Sequence, residues 1–260
     1  MKKAVRFVFL VLFVFGFVVS TVSFVFAQYT IDWMYVQERV YEDGTMRKVM
    51  NFGIRDEAGQ RVTDFSGFKG LNLYDPNGDL VDYHMPSIWT EDVLGGYYDA
   101  NAAQWVYGDF EVDSGVSVPV TDELMEGTYR LELITVDDQI IEKTYQVNEF
   151  ITLPVIPAES FQLSADANGN VHWYWAVPEE LGRLSMDYET QARVIIEIRD
   201  DGSYIGSLSV RSPSHMGYCF IPSDVVQKIL GKGDQFGMRI QLRTPDNNNR
   251  SYSDFLTLMK

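Results

Sequence analysis

Beyond residue 28 the chain alternates. Short runs of Val, Ile, Leu, Tyr, Phe and Thr set an apolar side chain at every second position. Each run stops at Gly, Asp, Asn or Pro after about ten residues, the pattern of successive antiparallel strands. Tyr129, Leu131 and Leu133 alternate with Arg130, Glu132 and Ile134, and Met238, Ile240 and Leu242 recur with the same period. Turn chemistry separates the runs: "DPNG" at 75–78, "VDDQ" at 136–139, "ADANGN" at 165–170, Asp201-Gly202, and an Asn-rich turn at 246–249. In these, Pro presets φ, Gly takes positive φ, and Asx side chains bond their own backbone. In "NVHWYWAVPEE", Val171, Trp173 and Trp175 fall on one face of a strand and His172, Tyr174 and Ala176 on the other. The tryptophan face is expected inside. Only "SDVVQKIL", 223–230, reads as a helix, with Ser223 as N-cap and Gly231 as its stop.

Pro154 and Pro157 punctuate "ITLPVIPAES" and break the run of strands. They divide the chain into an N-terminal unit, 28–150, a linker, 151–157, and a C-terminal unit, 158–260. Each unit has the size and strand count of a β-sandwich. The predicted fold is therefore all-β, with two tandem antiparallel β-sandwich domains behind an N-terminal signal segment.

The end of the first unit, "GTYRLELITVDDQIIEKTYQVN" behind the polar corner "TDELMEG", resembles the last two strands of an immunoglobulin-like domain. The second unit resembles the fibronectin type III family over its whole length. Three features carry this: a Trp strand ending in Pro (Trp173 or Trp175, then Pro178), the long "VIIEIRDDG" strand, and "LGKGDQFGMRIQLRT", where a glycine corner leads into an alternating strand. Phe236 stands where that family has a tyrosine, and the closing "SDFLTLM" matches only loosely. The resemblance implies a core tryptophan. Sandwich edges and end loops would supply the binding surface. Paired immunoglobulin-like domains also describe the periplasmic pilus chaperones, which hold a partner's carboxylate with basic residues between their domains. No basic pair stands in 151–160.

Composition narrows the function classes. Lys2, Lys3 and Arg6 precede an apolar run, 7–26, that ends in Val25-Phe26-Ala27. This is the layout of a secretory signal peptide, 1–27, cleaved before Gln28. An uncleaved anchor over 7–26 is the other reading, because the run is long enough to span a bilayer. Either way the protein is expected to be exported, to the periplasm or the extracellular space. Without those three bases, 18 Lys and Arg face 37 Asp and Glu, a net charge of −19. That excludes nucleic acid and anionic membrane as partners. The single cysteine, Cys219, excludes an internal disulfide, and its apolar neighbours make it a small buried hydrophobe.

Catalytic patterns are absent. His84, His172 and His215 are scattered, and there is no HExxH, no GxSxG elbow and no dinucleotide-binding glycine fingerprint. "DPNGDLVD" offers Asp75, Asn77, Asp79 and Asp82. However, Gly78 is misplaced for a calcium loop and Pro86 stands where the bidentate Glu is needed. No metal and no cofactor is expected, and the chain reads as non-enzymatic. The segment 82–110 concentrates aromatic and acidic residues, the chemistry of sugar recognition. Its candidate ligand residues are Trp89, Tyr97, Tyr98 and Trp105 as stacking faces, with Asp92 and Asp99 as acceptors. The expected role is binding of a glycan or protein partner in the bacterial envelope. The competing classes are an envelope scaffold without a small ligand and a carboxylate-dependent hydrolase.

Overall fold

The computed structural model describes residues 29–259, the side chains of residues 185 and 186 excepted. The expected signal segment, 1–27, lies outside the described residues. Seven strands come first: β1 (Thr30–Tyr41), β2 (Met46–Arg55), β3 (Phe68–Tyr74), β4 (Ser87–Asp99), β5 (Gln104–Pro119), β6 (Gly127–Thr135) and β7 (Ile140–Val147). After the proline-rich connection come β8 (Gln162–Ala165), β9 (Val171–Tyr174), α1 (Glu179–Tyr188), β10 (Gln191–Asp200), β11 (Ser203–Pro213) and β12 (Tyr218–Ile221). The chain ends with α2 (Ser223–Lys232), β13 (Gln235–Arg243), β14 (Asn249–Tyr252) and β15 (Leu256–Met259). The turns form where the sequence places them. Gly78 sits at φ +88° and Gly202 at +78°. The Asp75 carboxylate accepts the backbone N–H groups of Asn77 and Asp79, both at 2.9 Å.

The chain is all-β, as its alternation predicts, but it does not build two tandem sandwiches. The long strands form one closed mixed barrel of eight, in the order β10-β11-β4-β5-β2-β1-β14-β13 and back to β10, with β15 following β14 along the same edge of β13. Two antiparallel blocks make the wall. The first half of the chain supplies β4-β5-β2-β1, and the second supplies β14-β13-β10-β11. Two parallel seams join them. Along one, β1 pairs with β14 from Glu38 opposite Asn249 to Tyr41 opposite Tyr252. Along the other, β4 pairs with β11 from Asp92 opposite Gly206 to Tyr97 opposite Arg211. No immunoglobulin or fibronectin signature survives in this topology.

The apolar face of each block points outward and is covered by the protein's own smaller sheets. Met34, Val36, Met50, Phe52, Val116 and Val118 of the first block pack on Leu73, Tyr129, Leu131 and Leu133 from the sheet β3-β6-β7. Val194, Ile196, Leu208, Val210, Met238 and Ile240 of the second block pack on Trp173, Cys219 and Ile221 from β12-β9-β8 and on Leu181, Val225 and Ile229 from the helices. Trp173 is fully buried and Trp175 nearly so, while Tyr174 faces outward, so the tryptophan face is interior as expected. Leu153 and Ile156 of the connecting stretch are buried in the same cluster.

Two elements differ from expectation. Thr90–Ala103 lacks clean alternation, yet β4 and β5 form one long hairpin there, with its turn at 100–103 and a bulge between Leu94 and Gly96. Its alternation is blurred because one face looks into the barrel and the other onto the core. A second helix, α1, starts behind Pro178 with Glu179 and Glu180 in its first turn, where acids favour the helix dipole, and is anchored by Leu181. α2 is as expected but runs to Lys232, with Pro222 rather than Ser223 at the N-cap.

Candidate functional site: the barrel lumen

With the apolar faces turned outward, the alternate positions of the barrel strands point inward, and most of them are polar or aromatic. On β10 these are Arg193, Glu197 and Arg199; on β13, Arg239, Gln241 and Arg243; on β14, Arg250 and Tyr252; on β11, Ser207, Ser209 and Arg211. β1 contributes Trp33, Tyr35 and Arg39, and β4 contributes Trp89, Glu91 and Val93. Together they enclose a cavity of about 900 Å³. Barrels of eight strands ordinarily fill their interior with side chains or hold one small ligand. This one is large enough for the latter.

Eight of the chain's 13 arginines line the cavity, against three carboxylates, Glu91, Asp113 and Glu197. Glu197 is paired with Arg199 at 3.2 Å and Arg239 at 3.4 Å, and Arg61 is paired with Asp32 and Asp113. Among the described residues, Arg39, Arg193, Arg211, Arg243 and Arg250 form no ion pair. Neutral oxygens hold most of them instead. Arg39 donates twice to Gln37 Oε1, at 3.2 and 2.9 Å. Arg243 donates to Asn247 Oδ1 at 3.0 Å and Gln191 Oε1 at 2.9 Å, and Arg250 donates to the same Asn247 oxygen at 3.3 Å. Arg193 donates to the Ser209 hydroxyl. The Nε–H groups of Arg239, Arg243 and Arg250 are buried without an acceptor from the protein.

These charges strain one another. Desolvation, and then repulsion from neighbouring guanidiniums, holds Arg193 and Arg243 below the usual arginine range. Guanidinium stays protonated in proteins, so the shift measures an electrostatic penalty that an anion would relieve. Tyr252 records the same field from the other side. Burial alone would raise its phenol, but Arg39, Arg250 and Arg239 overcome burial and bring it down to about 7. Arg239 lies over its ring at 4.9 Å. Glu91 is raised, chiefly by burial, with Arg193 opposing and Asp113 and Glu197 adding to the rise.

The wall opposite Arg193, Arg243 and Arg250 is aromatic. Trp33 stands directly across from Gly53, and Trp89 directly across from Gly115. A Cβ at Gly53 would lie 2.5 Å from the Trp33 ring nitrogen, and one at Gly115 would lie 2.7 Å from Trp89 Cζ2. Each indole therefore lies flat on bare backbone. The two rings meet at 6.3 Å, with Tyr35 stacked on Trp33 at 5.4 Å.

The six residues singled out from 82–110 do not converge. Trp89 is in the lumen. Tyr97 shares the face of Arg211 at the rim, and it lines a shallower cavity of about 510 Å³ together with Tyr98 and His215. Tyr98 and Trp105 are cross-strand neighbours on the opposite, outer face, 5.1 Å apart, with Trp105 6.2 Å from Tyr218. Asp92 is bound to Lys232 at 2.6 Å. The Asp99 carboxylate accepts the N–H groups of Asn101 and Ala102 within its own turn. Cys219 is buried beside the Tyr107 hydroxyl, and burial pushes its thiol up to about 12, so it is no nucleophile. Among the described residues, no group of three His, Cys, Asp or Glu is placed to hold a metal ion, and no helix is long and apolar enough to cross a membrane.

The arginines were missed because an alternating Arg reads as a solvent-facing position. A signal was nevertheless there. The chain is strongly acidic, yet Arg193, Arg199, Arg211, Arg239, Arg243 and Arg250 gather in its last third, on strand-like stretches.

No family model matches the chain, and no curated protein does. Among solved structures it is similar to the dimeric latent PorU of Porphyromonas gingivalis. The identity is 12% over 92% of this chain and 21% of that one, with a TM-score of 0.26. The chain thus spans about a fifth of that structure's length, and so low a score bears on neither fold nor role.

Proposed function

We propose that the chain is an exported, non-catalytic binding protein that holds a small organic or inorganic oxyanion in its barrel lumen. The supporting observation is the set of five arginines without a carboxylate partner, gathered in one cavity of a protein with net charge −16. Arg211 is exposed at the rim and the other four are partly buried; leaving partly desolvated charge uncompensated is costly, and a bound oxyanion removes that cost. The planar guanidinium fork matches carboxylate, phosphate and sulfate. Export is supported by the sequence of residues 1–27 alone. This reading replaces the 82–110 aromatic surface with the lumen as the binding site and keeps Trp89 from it.

The test is a thermal-unfolding series at constant ionic strength, replacing chloride with phosphate, sulfate or citrate. A saturable rise in Tm with the oxyanions is expected, on the order of several degrees for 2 kcal/mol of linkage. The rise should vanish in Arg243→Gln and Arg250→Gln, which remove the charge and leave a shorter amide donor. Equal Tm values in all four salts would sink the proposal.

A further inference from the structure

We propose that the ligand is an anionic sugar: a pyranose ring seated on the indoles of Trp33 and Trp89, with its phosphate, sulfate or carboxylate among Arg193, Arg243 and Arg250. This rests on the lumen being an oxyanion site and adds what the oxyanion is attached to. The two halves of the chain line opposite walls. β1 and β4 bring the indoles, while β10, β13 and β14 bring three of the five unpaired arginines, Arg193, Arg243 and Arg250. A ligand spanning the lumen meets a flat apolar surface on one side and guanidiniums on the other.

The glycines make the floor. Gly53 and Gly115 lie directly opposite Trp33 and Trp89, at spacings no Cβ could share. Side chains there would tip the indoles upright into the lumen and fill it. Flat indoles offer the C–H face of a pyranose a surface to stack on. What surrounds the floor decides between a sugar and an aromatic acid. The same inward faces carry Asn51 two residues before Gly53, and Asp113 and Ser117 two residues either side of Gly115. A ring ligand on the indoles is therefore edged by amide, hydroxyl and carboxylate groups. A pyranose hydroxyl can bond such groups, whereas an aromatic hydrocarbon ring would desolvate them without offering a hydrogen bond.

The experiment is calorimetric titration of the full chain with glucose 6-phosphate, glucuronate, glucose, phenyl phosphate and inorganic phosphate, following tryptophan fluorescence in parallel. At least one sugar acid is expected to bind roughly tenfold more tightly than inorganic phosphate or phenyl phosphate, the scale of one stacked ring. It should shift the tryptophan emission, and glucose alone should not bind. Trp89→Leu and Gly115→Ala, the second disturbing the floor without removing a ring, should each abolish the sugar's advantage. Phenyl phosphate binding as tightly as the sugar acids would overturn the pyranose in favour of a plain aromatic ring. Inorganic phosphate binding as tightly as every ring compound would overturn the ring floor and leave the oxyanion site standing. Failure of every anion to bind would take both readings down together.

Discussion

Tyr252 is the most informative single residue in the lumen. Its phenol is buried, yet it is brought down to about 7 by Arg39, Arg250 and Arg239, against an ordinary value near 10. The sign follows from linkage. Between pH 7 and 10 the unfolded chain keeps a proton that the folded chain has released, so this group's contribution to stability grows across that window. It is complete above 10 and is lost as the pH falls through 7. A phenolate absorbance step centred near pH 7 is expected in the native protein and absent in Tyr252→Phe. Adding a bound oxyanion should move the midpoint upward, because it neutralises the arginines that hold the phenolate. A native protein whose tyrosines all ionise above pH 9 would mean that the arginine field is not as described. At this scale the sequence was half legible. Trp173, Trp175, Cys219 and the turn residues were readable, because apolar burial and positive φ leave residue-specific marks. The arginines were not, because on a strand an outward polar face and a polar lumen have the same period.

Among the elements, the strands and hairpins were legible and their faces were not. β13 shows why. Met238, Ile240 and Leu242 alternate as expected of a core face, and they are buried, but the face they share looks out of the barrel. The intervening residues then line the cavity. α1 escaped notice because it is short and contains Gly182, and only its proline and acid start mark it. The pairing of β1 with β2 makes a sharper prediction. Gly53 allows Trp33 to lie against the wall, and a methyl group there would meet the indole at 2.5 Å. Gly53→Ala should therefore swing the ring into the lumen, reduce the near-ultraviolet circular dichroism of the tryptophans, and destabilise the protein by about 1–3 kcal/mol, the usual cost of overpacking. An unchanged spectrum and an unchanged denaturation midpoint would mean that the ring is not held flat.

The whole molecule depends on two seams that leave no local trace. A parallel pairing has no hairpin turn to announce it, and β1 with β14, or β4 with β11, joins strands more than a hundred residues apart in sequence. Each block with its covering sheet accounts for the impression of two sandwiches, since each has a core of its own. Neither block can close alone. Separated, each would present two open strand edges, β1 and β4 in one and the short β14 and long β11 in the other, together with an arginine or indole face meant for a lumen. The connection at 151–157 is the place to cut. Expressed separately, residues 28–150 and 151–260 are each expected to aggregate or remain unfolded, as chains with open strand edges do. Expressed together, they should co-purify as a one-to-one complex that regains the tryptophan signal and the oxyanion response. The seams pass between the fragments, so association would restore all eight wall strands without a covalent link. A monodisperse, cooperatively unfolding 28–150 fragment would show that the seams add little, and with them the closed barrel and its cavity would lose their support.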